Sequence, residues 1–262
     1  MRSLRQILRW PAGIAAACST FLFCLPAQAQ MDFALQYGNL TNPFLGSKHW
    51  TTILTLQHAG AWQYGSTFFF LDYLDDGGTD GFNDKDFYGE WYPTLSFGKL
   101  SGKQINLGVI NDIGLIAGVN VGGDANVFKF LPGVRLSWSL PGFLFLNTDL
   151  TLYKDYSSGV PNGAPATDTG WVLDVNWHYP FTLGSQSFGI GGHAEYTSAV
   201  DDELNNALNG WILAQPQLTW DLSAIVGEGN HFLVGVEWQY WRNKLGTDNH
   251  DNVPQLLVVW RF

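Results

Sequence analysis

Histidines and carboxylates are the side chains of this 262-residue chain that could act as catalytic groups or metal ligands. A serine hydrolase needs a histidine beside its nucleophile, and no histidine has a serine two positions away within the strands predicted below. The acidic stretch 75–86 lacks the glutamate that an EF-hand carries at its twelfth position, so a solvated loop explains it better. We therefore expect no enzyme, no cofactor and no metal. The histidines are His49, His58, His178, His193, His231 and His250.

One group of histidines and carboxylates has a second interpretation. His178 and His193 fall on neighbouring predicted strands, with Asp174 and Glu195 near them. Such a group in a wet interior could bind a metal ion. We expect it instead to form a solvated hydrogen-bond network.

Residues 1–29 have the pattern of an export signal. A basic start is followed by the apolar stretch 12–25 and by the small-x-small site at residues 27–29. Both cysteines lie in this segment, so the mature chain has no disulfide. Removing Arg2, Arg5 and Arg9 from the 13 basic residues leaves ten against 23 acidic ones, a net charge of −13. We expect no binding of nucleic acid, because that requires a basic surface.

The composition of the mature chain favours a membrane barrel. The chain holds 12 Trp, 18 Phe and 10 Tyr, yet no apolar run after residue 29 reaches the length of a membrane helix. We predict an all-β fold, a transmembrane antiparallel up-and-down β-barrel of twelve strands, as one domain over residues 30–262. The predicted strands are 31–39, 49–58, 63–73, 86–97, 104–113, 126–139, 143–156, 169–179, 187–199, 210–222, 231–243 and 252–262.

The predicted connections alternate in length. Those near residues 59–62, 98–103, 140–142, 180–186 and 223–230 are mostly short, whereas 74–85, 157–168, 200–209 and 244–251 are longer or more acidic. If the amino terminus lies in the periplasm, the short turns face the periplasm and the long loops face outside.

Alternation along each strand assigns its two faces. In the last strand Pro254, Leu256, Val258 and Trp260 form an apolar row, and the chain ends on Phe262. An apolar outer row and a terminal aromatic residue are typical of outer-membrane barrels. We expect lipid outside and a polar lumen inside, whereas a soluble barrel would use the same alternation with its apolar face inward.

The polar row defines a predicted lumen. Aromatic rings beside carboxylates and amides suit a flat, polar, uncharged solute, although inward aromatics can also merely brace the wall. The candidate solute-binding residues are Phe68, Phe70, Asp72, Tyr88, Glu90, Tyr92, Lys129, Arg135, Asp149, Tyr153, Asp174, Glu195 and Glu237. Further residues predicted to face the lumen are Phe145, Asp155, His193, Asp221, Gln239 and Trp241.

Four segments resemble a known family. They are QHAGAWQYG at 57–65, FFFLDY at 68–73, YGEWYPTLS at 88–96 and PQLLVVWRF at 254–262. Together they resemble the Tsx-like nucleoside-specific channels, a family that includes OmpK-type outer-membrane proteins. The resemblance spans the mature chain and is sharpest over residues 49–97 and 231–262. Glu90 and the Phe68–Asp72 cluster fall within its motifs.

The resemblance implies a monomeric barrel in the outer membrane of a Gram-negative bacterium that passes nucleosides passively. We expect contact with outer-membrane lipid and lipopolysaccharide, and recognition of Phe262 by the barrel-assembly machinery. Family members also serve as phage and colicin receptors, so a closed structural or receptor barrel is the main alternative. A lipid-modifying enzyme of the outer membrane is a more distant one.

Overall fold

The computed structural model describes residues 29–226 and 231–262. The predicted export signal lies outside these residues, apart from Ala29, which begins the first strand. No helix within the two ranges is long and apolar enough to cross a bilayer.

The described chain forms a closed barrel of twelve antiparallel wall segments, and the first segment pairs with the last. Strands β12 and β13 are two parts of the tenth segment, and β10 and β11 form a separate hairpin. The predicted twelve-stranded antiparallel barrel is therefore confirmed. The strands are β1 Ala29–Thr41, β2 Lys48–Trp62, β3 Gly65–Asp75, β4 Asp84–Ser96, β5 Ile110–Gly122, β6 Val127–Trp138, β7 Phe145–Asp155, β8 Gly170–Leu183, β9 Gln186–Thr197, β10 Val200–Asp201, β11 Ala207–Leu208, β12 Trp211–Ala214, β13 Gln217–Asp221, β14 Phe232–Arg242 and β15 Asp251–Arg261.

Within the described residues, three short helical turns lie between strands. They are α1 Phe97–Ser101, α2 Ser223–Val226 and the 3₁₀ turn Lys244–Gly246. We call the end of the barrel that holds Ala29 and Phe262 the terminal end, and the opposite end the loop end.

The outer face of the wall is apolar and the inner face is mostly polar. In β15 Leu256 is 55% exposed, whereas its neighbours Gln255 and Leu257 are 0% and 1% exposed. Outward aromatic pairs lie near both ends, Trp171 with Tyr196 at the loop end and Phe232 with Trp260 at the terminal end. In water, each such exposed side chain would lack the roughly 1.5–3 kcal/mol of stabilisation that its burial would provide. This face is therefore suited to lipid, with aromatic girdles at the two interfaces.

The prediction for the fifth strand was wrong. We placed it at 104–113, but β5 spans Ile110–Gly122, and residues 104–109 belong to the connection from α1. Inward positions of β5 include Gly114 and Gly118, where an added Cβ would meet the Leu95 carbonyl oxygen at 2.4 Å and the Tyr92 ring at 2.4 Å. Glycine is required at both positions because neighbouring groups approach so closely. Since glycine has no side chain, β5 lacks the alternation of polar and apolar residues that marks a strand in the sequence.

The prediction for the tenth strand was right in position but wrong in continuity. Strands β12 and β13 are separated at Gln215 and Pro216, because proline has no N–H to donate to the ladder. The two halves keep one register against β9, with Ala214 opposite Ala194 and Gln217 opposite Gly191. The inward alternation therefore continues through the break.

The predicted sorting of connections by length holds only in part. The connection Phe97–Val109 lies at the terminal end and is long, whereas β5 and β6 are joined at the loop end by the tight turn Gly123–Asn126. Both departures follow from the shifted β5. The acidic connections 76–83, 156–169 and 243–250 do lie at the loop end.

A buried ion pair holds the loop end of the closing seam. The Lys244 ammonium is 2.7 Å from Asp251 Oδ2 and 2.8 Å from the Thr41 carbonyl oxygen. It also lies 5.1 Å from the ring centres of both Phe82 and Trp241. Lys244 and Asp251 are 1% and 0% exposed, so the pair joins β1, β15 and the β3–β4 loop away from water.

We expect Lys244→Ala to lower the free energy of unfolding by about 3–5 kcal/mol, because Asp251 would stay buried without its cation. Urea unfolding of the barrel in detergent measures this. The exposed Lys103 supplies the control Lys103→Ala, with an expected change within about 0.5 kcal/mol. Equal changes in the two variants would contradict a stabilising role for the pair.

Candidate functional site

The structure places all of the predicted solute-binding residues on the inner face of the wall. Cross-strand partners share a face, and Phe70 lies opposite Glu90, Arg135 opposite Asp149, and Asp174 opposite Glu195. Contact with a solute stays a prediction for each of them. The further inward pairs are Phe68 with Tyr92, Asp72 with Tyr88, Lys129 with Asp155, Tyr153 with Gly170, Asn176 with His193, Asp221 with Leu233, Glu237 with Gln255, Gln239 with Val253, Trp241 with Asp251 and Phe145 with His178.

Strands β3 and β4 carry an aromatic cluster around one carboxylate. The Phe70 ring centre is 6.2 Å from that of Phe68 and 6.1 Å from that of Tyr88. The Tyr88 hydroxyl donates to Glu90 Oε1 at 2.5 Å. Rings and an anionic acceptor are thus side by side on this part of the lumen.

Asn120 of β5 holds this cluster in place. Its amide nitrogen donates to Glu90 Oε1 at 2.8 Å, and its Oδ1 accepts from the Tyr92 hydroxyl at 3.1 Å. Asn120 is 5% exposed, so the network is shielded at its base. Sequence analysis missed Asn120, although its inward position follows once β5 has the right bounds.

The opposite wall carries a continuous chain of hydrogen bonds across β6 to β9. Arg135 forms two bonds to Asp149, at 2.7 and 2.5 Å. Asn176 donates to Asp149 at 3.1 Å and to Asp174 at 2.7 Å. His193 Nδ1 is 2.9 Å from Asp174 Oδ2. The Arg135 charge is therefore neutralised within the wall.

Glu237 occupies the centre of a cage of carboxamides. Its Oε2 accepts from Gln36 at 2.6 Å and from Gln217 at 2.7 Å, and its Oε1 accepts from Gln255 at 3.1 Å and Gln215 at 3.2 Å. The side chain is 3% exposed. Because all four acceptor positions are filled from within the protein, Glu237 is better suited to join strands than to bind a solute.

Most cations of the described lumen are paired, and several carboxylates have no such partner. Lys129 binds Asp155 and the Thr167 hydroxyl near the loop end, and its ammonium lies 5.2 Å from the Tyr153 ring centre. Among the described residues, the carboxylates on the inner face that form no ion pair with lysine or arginine include Asp72, Glu90, Asp174, Glu195 and Glu237. The lumen is therefore acidic.

Side chains from opposite walls converge in the lumen. Glu90 of β4 and Glu195 of β9 lie within electrostatic range of each other across the lumen, and Tyr153 of β7 lies within range of both carboxyl groups. Asp174 and His193 lie within the same range of Glu90. We call this group the constriction. Its residues are Tyr88, Glu90, Tyr92, Tyr153, Asp174, His193 and Glu195.

An open vestibule of about 720 Å³ lies at the terminal end. Lys99, Asp112, Asn147 and Phe145 are among its lining residues. The Phe145 ring stacks on His178 with centres 6.3 Å apart. Phe145 therefore belongs to this mouth and not to the constriction.

The acidic loop between β3 and β4 brings carboxylates together at the loop end. Oxygen atoms of Asp76, Asp80 and Asp84 lie within 4.8 Å of one another, and His49 Nε2 is 3.3 Å from Asp80. Burial, followed by the charges of Asp84 and Asp80, raises the pKa of Asp76 above its ordinary value. The loop is tied to the rim through Asp80 rather than freely solvated.

A closed antiparallel barrel with an apolar outer face and a charged, polar inner face defines an integral outer-membrane β-barrel protein. The sequence matches no protein-family model and no curated protein.

The solved structures to which the chain is similar, at low identity and TM-scores just below 0.5, include two porins and an outer-membrane channel. One is described as the KdgM porin, with 11% identity and a TM-score of 0.48 over 89% of this chain and 99% of that chain. The NanC porin has 11% identity and a TM-score of 0.49 over 88% and 98% of the two chains. An outer-membrane channel from Pseudomonas putida F1 has 12% identity and a TM-score of 0.48 over 91% and 97%.

We expect Glu237→Gln to lower the free energy of unfolding by about 1–3 kcal/mol for each carboxamide N–H that loses its acceptor. Urea unfolding in detergent measures the change. Asp201→Asn, at an exposed position of β10, is the control and should leave stability unchanged. Unaltered stability of the Glu237 variant would show that the cage does not hold the strands together.

Proposed function

We propose that this protein is a channel for passive diffusion of small polar solutes across the outer membrane, and that nucleosides are its preferred solutes. The observation that carries the proposal is the placement of the Phe68–Phe70–Tyr88 rings beside Glu90 on the inner face. A nucleobase stacks on such rings, and ribose hydroxyls donate to a carboxylate.

The charge of the constriction favours neutral solutes over anions. Glu90, Asp174 and Glu195 form no ion pair with lysine or arginine within the described chain, and Arg135 is held by Asp149. An anionic solute such as a nucleotide would meet the negative charge of Glu90 and Glu195 at short range, whereas Asp174 has His193 beside it. A nucleoside carries no charge and offers hydroxyl donors, so it suits this lining.

The resemblance to Tsx-like channels supports the same solute class. Two of its motifs, residues 68–73 and 88–96, form the paired strands β3 and β4, with Phe70 opposite Glu90. Residues from both motifs therefore build one cluster. As part of the proposal, the loop end faces the exterior beside lipopolysaccharide, the barrel is a monomer, and Phe262 is recognised by the assembly machinery.

A closed receptor barrel is the second candidate. The wall formed by β14, β15 and β1 has fully buried inward side chains, with Gln255 at 0% and Leu257 at 1% exposure. Packing of this density narrows the lumen on that side. Absence of conductance from folded protein would favour this candidate, including a role in phage or colicin binding.

We expect Phe70→Ala and Glu90→Ala to weaken nucleoside binding without unfolding the barrel. Loss of a stacking ring is worth about 1–3 kcal/mol, so the nucleoside concentration that half-blocks conductance should rise roughly five- to 150-fold. Conductance of single channels under nucleoside titration measures it. The control is Phe69→Ala, which removes a neighbouring ring from the outer face, where Phe69 stacks on His58. Unchanged block in both lumen variants would refute the binding site.

A further inference from the structure

Three metal-ligating side chains meet in the constriction, and passage of a nucleoside does not require their grouping. One ligand atom each from Asp174, His193 and Glu195 lies within 4.8 Å of the others. The His193 side chain is 32% exposed and that of Asp174 is 18% exposed, so ions in lumen water can reach them.

The backbone ladder fixes the positions of the three groups. Asp174 of β8 lies directly opposite Glu195 of β9, and His193 precedes Glu195 by two residues on the same face. Between His193 and Gly191, Gly192 has a φ of +126°, and a Cβ there would meet the Gln215 carbonyl oxygen at 2.2 Å. Rigid strands, and not a loop, therefore present the ligand set.

Gln215 orients the imidazole ring from the far side. Its amide nitrogen donates to Glu237 Oε1 at 3.2 Å and to Gln239 Oε1 at 3.4 Å, so its own Oε1 is turned toward His193 Nε2 at 2.9 Å. An amide oxygen can only accept, and Nε2 must therefore carry a hydrogen. This leaves Nδ1 as the ligand nitrogen, facing Asp174. Metal-bound histidines commonly have such an acceptor behind the ring.

We propose that Asp174, His193 and Glu195 form a site for a divalent transition-metal ion, with Zn²⁺ as the best fit. One imidazole nitrogen with carboxylate oxygens is a ligand set that suits zinc, whereas Ca²⁺ and Mg²⁺ take oxygen ligands. Two carboxylates balance the charge of the ion. The ion replaces the Nδ1 proton, which leaves to solvent, and water completes the coordination.

The site also has a consequence for the channel, which rests on the proposed function. The bound ion lies in the constriction, where opposite walls converge on Glu90 and Glu195. It narrows the lumen and offsets part of its negative charge. Zinc should therefore reduce nucleoside passage and weaken the exclusion of anions from the pore.

Calorimetric titration of ZnCl₂ into the detergent-purified protein, carrying no polyhistidine tag, tests the site. We expect one ion per chain, with the association constant falling about tenfold or more in both His193→Ala and Glu195→Gln. His178→Ala is the matched control, because His178 faces the lumen near Phe145 and lies outside the ligand group. Asp80→Asn is a second control. It disrupts the other group of possible metal ligands, which consists of Asp76, Asp80 and Asp84 in the β3–β4 loop.

Zinc binding that survives His193→Ala and is lost in Asp80→Asn would overturn the proposal, as would no binding to the unaltered protein. Heat-modifiable migration in gels establishes that each variant is a folded barrel, and Glu195→Gln keeps the shape of the side chain if His193→Ala fails to fold. Zinc binding of the expected pattern in a barrel without conductance would support the site and contradict only the channel.

Discussion

Pairing of β1 with β15 closes the barrel, and without it the wall could not exist in a membrane. In lipid every backbone N–H and C=O needs a partner within the protein, so a sheet must close on itself. An ion pair lies near each end of this seam. Arg261 Nε is 3.2 Å from Asp32 Oδ1 at the terminal end, and Lys244 binds the buried Asp251 at the loop end. The diameter of a closed barrel grows with its number of strands, so the strand number sets how far inward side chains must reach to meet.

The interior of the barrel has one region that protein side chains fill and another region that a solute can reach. Around β14, β15 and β1 the carboxamide cage uses every acceptor of Glu237, and these side chains are almost fully buried. Around β3 to β5 and β8 to β9 the residues Glu90 and Glu195 are partly exposed and lie within electrostatic range of each other. A filled region stabilises the wall, while the accessible region provides rings and acceptors to a solute. The same division explains how an acidic lumen stays folded without matching each carboxylate to a cation.

Period-two alternation was enough to predict the barrel and the facing of its residues, because one residue of shift would turn every side chain to the other face. The row Asp174, Asn176 and His178 follows directly from it. Period-two alternation failed to locate β5, because Gly114 and Gly118 occupy inward positions without a polar or apolar side chain. The sequence alone could not show that side chains from opposite walls converge, because Glu90 and Glu195 are over 100 positions apart and come within electrostatic range only when the barrel closes. For the same reason the role of Gln215 behind His193 required the structure.

Selective passage of nucleosides is tested most directly by single-channel conductance of the purified protein in a planar bilayer, with and without adenosine or thymidine. We expect small channels that low concentrations of nucleosides block and that free sugars leave open. Channels indifferent to nucleosides would contradict the proposed solute. A properly folded barrel that forms no channels at all would contradict the channel itself.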